Sequence, residues 1–156
     1  MIDFTTTQCL LFSEIISKPA AMQFDQRQGS SDGGSILLKA AERRYGSIGG
    51  LAGCLRPQRQ AGKADHPPKE LLAQRVFSIA CGYANANSPA RLAADPVHKM
   101  LLDRDSVAGL DRASQPTLPR FENSVDRKQL YRMGEALAES VIERHAKRLR
   151  GHARSR

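Results

Sequence analysis

The polar residues with the clearest potential chemistry lie between positions 114 and 123, in the stretch SQPTLPRFEN. The candidates for DNA contact are Ser114, Gln115, Thr117, Arg120 and Asn123. Arginine and asparagine side chains recognise guanine and adenine edges, and hydroxyl and amide groups bind phosphates. With Thr117 as N-cap, Pro119 falls at the second helical position, where it is tolerated, so a short helix is predicted there. The alternative remains open that Thr117 only caps this helix while Phe121 packs inward and Arg120 is solvated.

Basic residues are concentrated after position 143. They are Arg144, Lys147, Arg148, Arg150, Arg154 and Arg156, and no acidic residue follows Glu143. The first 143 residues carry 18 basic against 16 acidic side chains, so most of the net charge of +8 comes from this region. The first four of these residues are candidates for phosphate contacts, with a solvated tail as an equal alternative. Arg75, on the polar side of a predicted core helix, is a further candidate for DNA contact.

Other chemistry finds little support in the residue pattern. Asp103 and Asp105 form the only close acidic pair, whereas a two-metal site needs several converging carboxylates, so caps or solvated charges are expected. Three cysteines without a CxxC pair predict neither a disulfide framework nor a zinc site, and Cys81 is expected in the core. His145 continues an apolar stripe and is expected to be packed. We therefore predict no catalytic and no metal-ligating residue.

The composition favours helices, because aromatic residues make up only 5% and tryptophan is absent. We predict a mainly α fold of about six helices around one core, with a small N-terminal β-ribbon of residues 10–12 and 21–24 as an option. Apolar periodicity, prolines and glycines predict helices over 36–45 and 48–55, a core helix opening at Pro67 or Pro68, and short helices over 90–94 and 97–102. A capping box of Asp126 and Gln129 opens a long helix over 127–147.

The apolar residues of two helices predict which sides face the core. The predicted stripe of the core helix is Leu71, Leu72, Val76, Ile79, Ala80 and Tyr83, and that of the long helix is Leu130, Met133, Leu137, Val141 and His145. The predicted organisation is a weakly structured leader at 1–23, a helical DNA-binding region at 24–147 and a basic tail at 148–156. No apolar run approaches the ~18 residues of a membrane span, so a soluble cytoplasmic protein is expected.

Four stretches in this order resemble the amino-terminal region of the group-1 DDE transposases carried by bacterial insertion sequences. They are QCLLF at 8–12, FDQRQGSSDGGSILLKAAERRYG at 24–46, LLAQRVFSIACGYANANSPARLAADPVHK at 71–99 and ASQPTLPRFENSVDRKQLYRM at 113–133. The resemblance implies DNA transposition, with double-stranded DNA at the terminal inverted repeats as partner, and self-association is left open. Two departures are ANANSP after Gly82-Tyr83, where the family is usually acidic, and Pro119, where serine is typical.

The resemblance also implies a separate RNase H-like catalytic domain with three carboxylates that bind a divalent metal such as Mg²⁺. Its first aspartate is expected shortly after the long helix, but residues 148–156 read RLRGHARSR. We therefore expect that the carboxyl terminus reflects a frameshift or truncation, and that this chain needs no cofactor and is not catalytic alone. The rival hypotheses are a DNA-independent helical dimerisation module and a small nuclease that uses Asp103 and Asp105.

Overall fold

The computed structural model describes residues 14–16, 29–56, 66–85, 92–114 and 116–153, with side chains as far as residue 150. These ranges contain six α-helices, one 3-10 helix and no strand, which confirms the mainly α prediction. The helices are the 3-10 helix Gly33–Ser35, α1 Ile36–Tyr45, α2 Ser47–Gly53, α3 Pro68–Ala80, α4 Pro96–Leu101, α5 Thr117–Ser124 and α6 Arg127–Ala153. The predicted ribbon, residues 90 and 91 of the predicted helix 90–94 and Gln115 lie outside the described residues, and residues 93 and 94 form a turn.

A tight junction joins α1 to α2. Gly46 ends α1 in the left-handed conformation, at φ 62°, and its N–H donates to the Glu42 carbonyl over 2.7 Å. The Glu42 carboxylate then accepts hydrogen bonds from the backbone N–H groups of Ile48, at 2.9 Å, and Gly49, at 3.2 Å. Glu42 therefore caps α2 from within α1, which holds the two helices in a fixed relation.

The central helix is α3, which begins at Pro68 as predicted and packs against α2, α4 and α5. The apolar core comprises Ile48, Leu71, Leu72, Phe77, Leu101, Ala113, Leu118 and Phe121. The predicted stripe is only partly correct, because Ile79 is 50% exposed while the polar Gln74 and Ser78 are buried. The buried side of α3 therefore includes Gln74 and Ser78 in addition to apolar residues, and these two polar side chains form hydrogen bonds inside the protein.

The partners of Gln74 and Ser78 belong to the irregular segment before α5. The Gln74 side-chain amide donates to the Ala113 carbonyl and accepts from the Ala113 N–H, both at 3.0 Å. The Ser78 hydroxyl donates to the Gln74 carbonyl at 2.7 Å and accepts from the Arg112 guanidinium at 2.8 Å. Burial lowers the pKa of Arg112 to about 10, while the nearby charge of Asp95 acts in the opposite direction. A buried polar network therefore joins α3 to the chain that leads into α5.

The start of α5 differs from the prediction. Thr117 is the first helical residue and Pro116 the N-cap, so the prediction of Thr117 as N-cap is wrong. The reason is that Pro116 already has helical dihedral angles, φ −72° and ψ −20°, and the Thr117 N–H bonds the Ser114 carbonyl over 3.0 Å. Pro119 then occupies the third helical position, where a missing N–H costs no intrahelical bond.

The long helix α6 begins with the predicted capping box. The Asp126 N–H donates to the Gln129 side chain at 2.9 Å, and the Gln129 N–H donates to the Asp126 carboxylate at 2.8 Å. The helix continues to Ala153, six residues beyond the predicted end at Lys147. Residues 148 and 150, assigned to a tail from the sequence, are therefore helical.

The orientation of α6 was only partly predicted. Met133 packs against the core, but Leu130, Leu137 and Val141 are 48–57% exposed and His145 is exposed as well. The helix instead presents a side with small and polar residues to α2, its main contact among the described elements. Within the described ranges, several apolar residues of this helix, among them Tyr131 and Ile142, are more than half exposed.

Replacing Gln74 with leucine tests the buried network. The change keeps a similar volume but leaves the N–H and carbonyl of Ala113 without partners, so the free energy of unfolding should fall by about 2 to 4 kcal/mol. Urea unfolding measures this loss. Lys69→Leu, at an exposed position of the same helix, should change stability by less than about 0.5 kcal/mol, and equal effects of the two changes would contradict the assignment.

The capping box makes stability depend on pH through Asp126. The hydrogen bond from the Gln129 backbone and the charge of Arg56, 3.3 Å away, hold the pKa of Asp126 below its ordinary 3.8. The charged carboxylate therefore stabilises the fold above this pH, and the contribution is lost as the pH falls through the lowered value. Asp126→Ala should be less stable than wild type at pH 7, with a difference that shrinks in acid, as followed by urea unfolding. Asp126→Asn retains a capping group, and its stability should exceed that of the alanine variant.

Candidate nucleic-acid interface

One side of α5 is buried and the other is free. Leu118 and Phe121 enter the core, at 1% and 6% exposure, while Arg120 and Asn123 are exposed one helical turn apart. Ser114 is exposed, and its hydroxyl lies 3.0 Å from the half-buried Thr117 hydroxyl at the start of the helix. The structure thus brings together four of the five residues predicted from this stretch, and Gln115 lies outside the described part.

Arg75 lies beneath α5 and has partners inside the protein. It forms an ion pair with Glu122 of α5, and it donates a hydrogen bond to the Ala84 carbonyl at 3.0 Å. Its side chain is only 19% exposed. Arg75 therefore fixes α5 against α3, which positions the exposed side of α5 from below.

Arg144 also has internal partners. Its guanidinium lies 4.7 Å from the centre of the Tyr45 ring and donates to the Ser47 hydroxyl at 3.0 Å and to the Ser140 hydroxyl. The cation over the ring and the hydrogen bonds hold α6 against the junction of α1 and α2. Arg144 thus differs from the basic residues that follow it on α6.

The exposed basic residues of α6 are Lys147, Arg148 and Arg150. At 100° per residue, Lys147 and Arg150 lie on one side of the helix, and Arg148 lies near Arg144 on another. Because no acidic residue follows Glu143, the last turns carry a strong positive charge, and cations are also favoured at a helix C-terminus. This end of α6 can attract phosphates from more than one direction.

The acidic pair Asp103 and Asp105 is bound by its own surroundings. Asp103, in the left-handed region at φ 59°, pairs with the buried Lys39 at 2.5 Å and lies 4.0 Å from Arg43. Asp105 accepts hydrogen bonds from the backbone N–H groups of residues 107 and 108, at 2.9 and 2.8 Å. Both carboxylates are thus engaged by neighbouring groups of the protein.

An open cavity of about 430 Å³ lies between α1, α3 and α4. Its charged lining residues are Lys39, Arg43, Lys69, Glu42, Glu70 and Asp103. Three positive and three negative groups balance, so the cavity offers no net attraction to phosphate. The candidate interface therefore lies on α5 and α6 and not at this cavity.

One cluster was missed from the sequence. Asp32, Cys81 and His98 place a carboxylate oxygen, a sulfur and a ring nitrogen within 4.8 Å of one another, as the single group of three possible metal ligands within the described ranges. Burial and the charge of Asp32 raise the pKa of the Cys81 thiol, so it is not an activated nucleophile. Because 49 residues separate Asp32 from Cys81, no local spacing signal could have revealed the cluster.

This cluster does not suit the Mg²⁺ ion that the family's catalytic chemistry implies. Magnesium prefers oxygen ligands, whereas sulfur and imidazole nitrogen favour softer ions. Within the part of the chain that the structure describes, no three carboxylates meet at one point. We therefore derive no cleavage step from these residues.

The fold and this surface define a small α-helical protein with a positively charged outer helix and a polar exposed helix beside it. Residues 12–151 match the sequence model of the family "Transposase DDE domain group 1", so the chain belongs to that family. No curated protein and no solved structure matches the chain. The match confirms the resemblance at the level of the family and indicates a function related to transposition. None of the helices in the described ranges combines the length and apolar character needed to cross a membrane.

Arg144 and Arg148 should respond differently to alanine substitution. Arg144→Ala removes the contacts with Tyr45 and Ser47 and should lower the free energy of unfolding by about 1 to 2 kcal/mol. Arg148→Ala removes an exposed side chain and should change it by less than about 0.5 kcal/mol. Urea unfolding of both variants measures the contrast, and a loss at Arg148 as large as at Arg144 would show that the internal role of Arg144 is misassigned.

Proposed function

We propose that this chain acts in DNA transposition by binding, as double-stranded DNA, the terminal inverted repeats of its mobile element. The observation that carries the proposal is the end of α6, where exposed basic residues occur without any acidic neighbour after Glu143. Because the chain belongs to a transposase family, DNA is the partner that this positive charge is expected to bind. Cationic residues gain affinity for duplex DNA because their binding releases counterions from phosphates.

The two exposed surfaces suit different parts of this task. Arg120 and Asn123 have the donors and acceptors that discriminate guanine and adenine in the major groove. Lys147, Arg148 and Arg150 suit phosphate contacts, which give affinity without sequence preference. From Arg127 to Arg150, α6 rises about 34 Å, close to one turn of B-DNA. A duplex running along α6 would therefore place the basic residues at the end of this helix about one helical turn from its start, which follows α5 after two residues.

We further propose that DNA cleavage and strand transfer reside in a catalytic domain distinct from these residues, with Mg²⁺ bound there. The engagement of Asp103 and Asp105 in local structure supports this division. In this proposal the chain acts as part of a bacterial insertion-sequence transposase in the cytoplasm, and its contribution is recognition of the element ends.

A DNA-independent dimerisation module is the second candidate, and the outer side of α6 favours it. The exposed apolar residues of this helix are Leu130, Tyr131, Leu137, Val141, Ile142 and Leu149. Leu130, Leu137 and Val141 recur at seven- and four-residue spacing along one edge of the helix, where Leu137 also borders α2. A second copy could cover this edge, since identical apolar stripes complement each other across a two-fold axis.

Binding of purified protein to the element's terminal repeat and to a random duplex, each at two salt concentrations, tests the proposal. Wild type should prefer the repeat. Replacing Arg120 and Asn123 together with alanine should remove about 1 to 3 kcal/mol of discrimination per lost base contact. Replacing Arg148 and Arg150 should weaken binding to both duplexes equally and reduce the salt slope by about one per lost phosphate contact.

The controls separate the candidates. Lys69→Ala removes an exposed charge away from both surfaces and should leave binding unchanged. Equal, weak and strongly salt-dependent binding of wild type to both duplexes would contradict end recognition and leave only the electrostatics of α6. No binding at either salt concentration would favour the dimerisation module.

A further inference from the structure

The cluster of Asp32, Cys81 and His98 joins three separate parts of the fold. Asp32 precedes the 3-10 helix, Cys81 is the C-cap of α3, and His98 lies in α4. Their three potential ligand atoms all lie within 4.8 Å of one another. None of these side chains belongs to the candidate DNA surface, so DNA binding does not account for their close arrangement.

His98 is held firmly at the centre of this group. It is 1% exposed, and its Nε2 lies 2.9 Å from the Asp32 carboxylate. Its backbone N–H donates to the Asp95 side chain at 2.9 Å, and the Tyr83 ring meets the imidazole edge to face at 5.9 Å. The other ring nitrogen, Nδ1, is buried and has no hydrogen-bond partner within the described residues. A buried, unpartnered nitrogen on a fixed imidazole is unusual, and Nδ1 is one of the two ring nitrogens through which His98 can bind an ion.

We propose that Asp32, Cys81 and His98 form a binding site for a borderline transition-metal ion, Zn²⁺ in the first place. Zinc takes sulfur at about 2.3 Å and nitrogen or oxygen at about 2.0 to 2.2 Å in a tetrahedral arrangement. Ligand atoms on such an ion are separated by roughly 3.3 to 3.8 Å. The nearest atoms of Asp32 and His98 are 2.9 Å apart, and the other separations in the cluster are at most 4.8 Å, so shifts of about 1 Å bring the three ligand atoms to these distances. A water molecule supplies the fourth ligand.

The charges balance on binding. The Cys81 sulfur binds as a thiolate, so its S–H bond breaks and the proton passes to solvent as the metal–sulfur bond forms. One carboxylate, one thiolate and a neutral imidazole then compensate the two positive charges of the ion. No oxidant or reductant is required.

The expected consequence is structural. The ion links the segment before α1 with the end of α3 and with α4, and it binds only when these three parts are folded together. Metal binding therefore adds to the stability of the folded state. The site is separate from the Mg²⁺ chemistry of strand transfer, and it does not depend on the DNA-binding proposal.

Cobalt binding to the full, tag-free protein after removal of metals tests the site. Co²⁺ should give a sulfur-to-metal charge-transfer band and visible bands of tetrahedral intensity, and Zn²⁺ should abolish both by displacement. Zn²⁺ should also raise the Tm of the metal-free protein. In Cys81→Ser the charge-transfer band should vanish. Zn²⁺ affinity should fall by more than about tenfold, because losing a residue that only orients a ligand already lowers metal affinity by at least that factor.

Cys54→Ser is the matched control, because Cys54 is a second free cysteine remote from Asp32 and His98, and its cobalt spectrum should equal that of wild type. If Cys81→Ser does not fold, the double variant Cys9→Ser with Cys54→Ser decides the question, since Cys81 is then the only thiol left. Retention of the charge-transfer band in the double variant supports the site. Absence of the band in wild type, its loss in the double variant or its persistence in folded Cys81→Ser would overturn the proposal.

Discussion

The pairing of the Gln74 amide with the backbone of Ala113 is the constraint on which the position of α5 depends. Residues 112 and 113 cross the interior without regular structure, at 3% and 0% exposure, so their backbone groups cannot reach water. A buried N–H and carbonyl without partners would cost about 1 to 3 kcal/mol each. One glutamine on α3 satisfies both with the geometry of a peptide group. The chain is thereby fixed four residues before α5 begins.

The exposed side of α5 rests on this constraint and on a second contact. Glu122 pairs with Arg75 of α3, and Leu118 and Phe121 enter the core beside them. The side chains of Arg120 and Asn123 therefore project from a helix that is held by hydrogen bonds at one end and by packing and charge along its length. A surface that recognises bases needs such support, because displacement by about 1 Å can break paired hydrogen bonds.

Local signals in the sequence identified the helices well. Pro68 at the start of α3, Gly46 at the end of α1 and the box of Asp126 and Gln129 each act within a few residues, so their effects could be predicted. The buried sides of the helices could not be predicted in the same way. Gln74 and Ser78 are polar by type and are buried only because Ala113 and Arg112 lie opposite them, more than 30 positions along the chain.

In the candidate site, too, local features could be predicted from the sequence and contacts between distant residues could not. Arg120 and Asn123 are exposed, because helical periodicity predicts which side of α5 is polar, and Lys147, Arg148 and Arg150 are exposed near the end of α6. The internal partners of Arg75 and Arg144 depend on Glu122 and Ser47, which only the packing of helices brings close. Nothing in the local pattern distinguishes an arginine that stacks on a tyrosine from one that is solvated.

The Glu42 cap has a consequence for how the molecule opens. Two amides of α2 are protected by a carboxylate that belongs to α1, so fraying of the last turn of α1 also exposes the first turn of α2. We expect the two helices to exchange amide hydrogens with solvent as one cooperative unit. Because α6 packs mainly on α2, opening of α1 and α2 would also remove the main packing surface of the long helix.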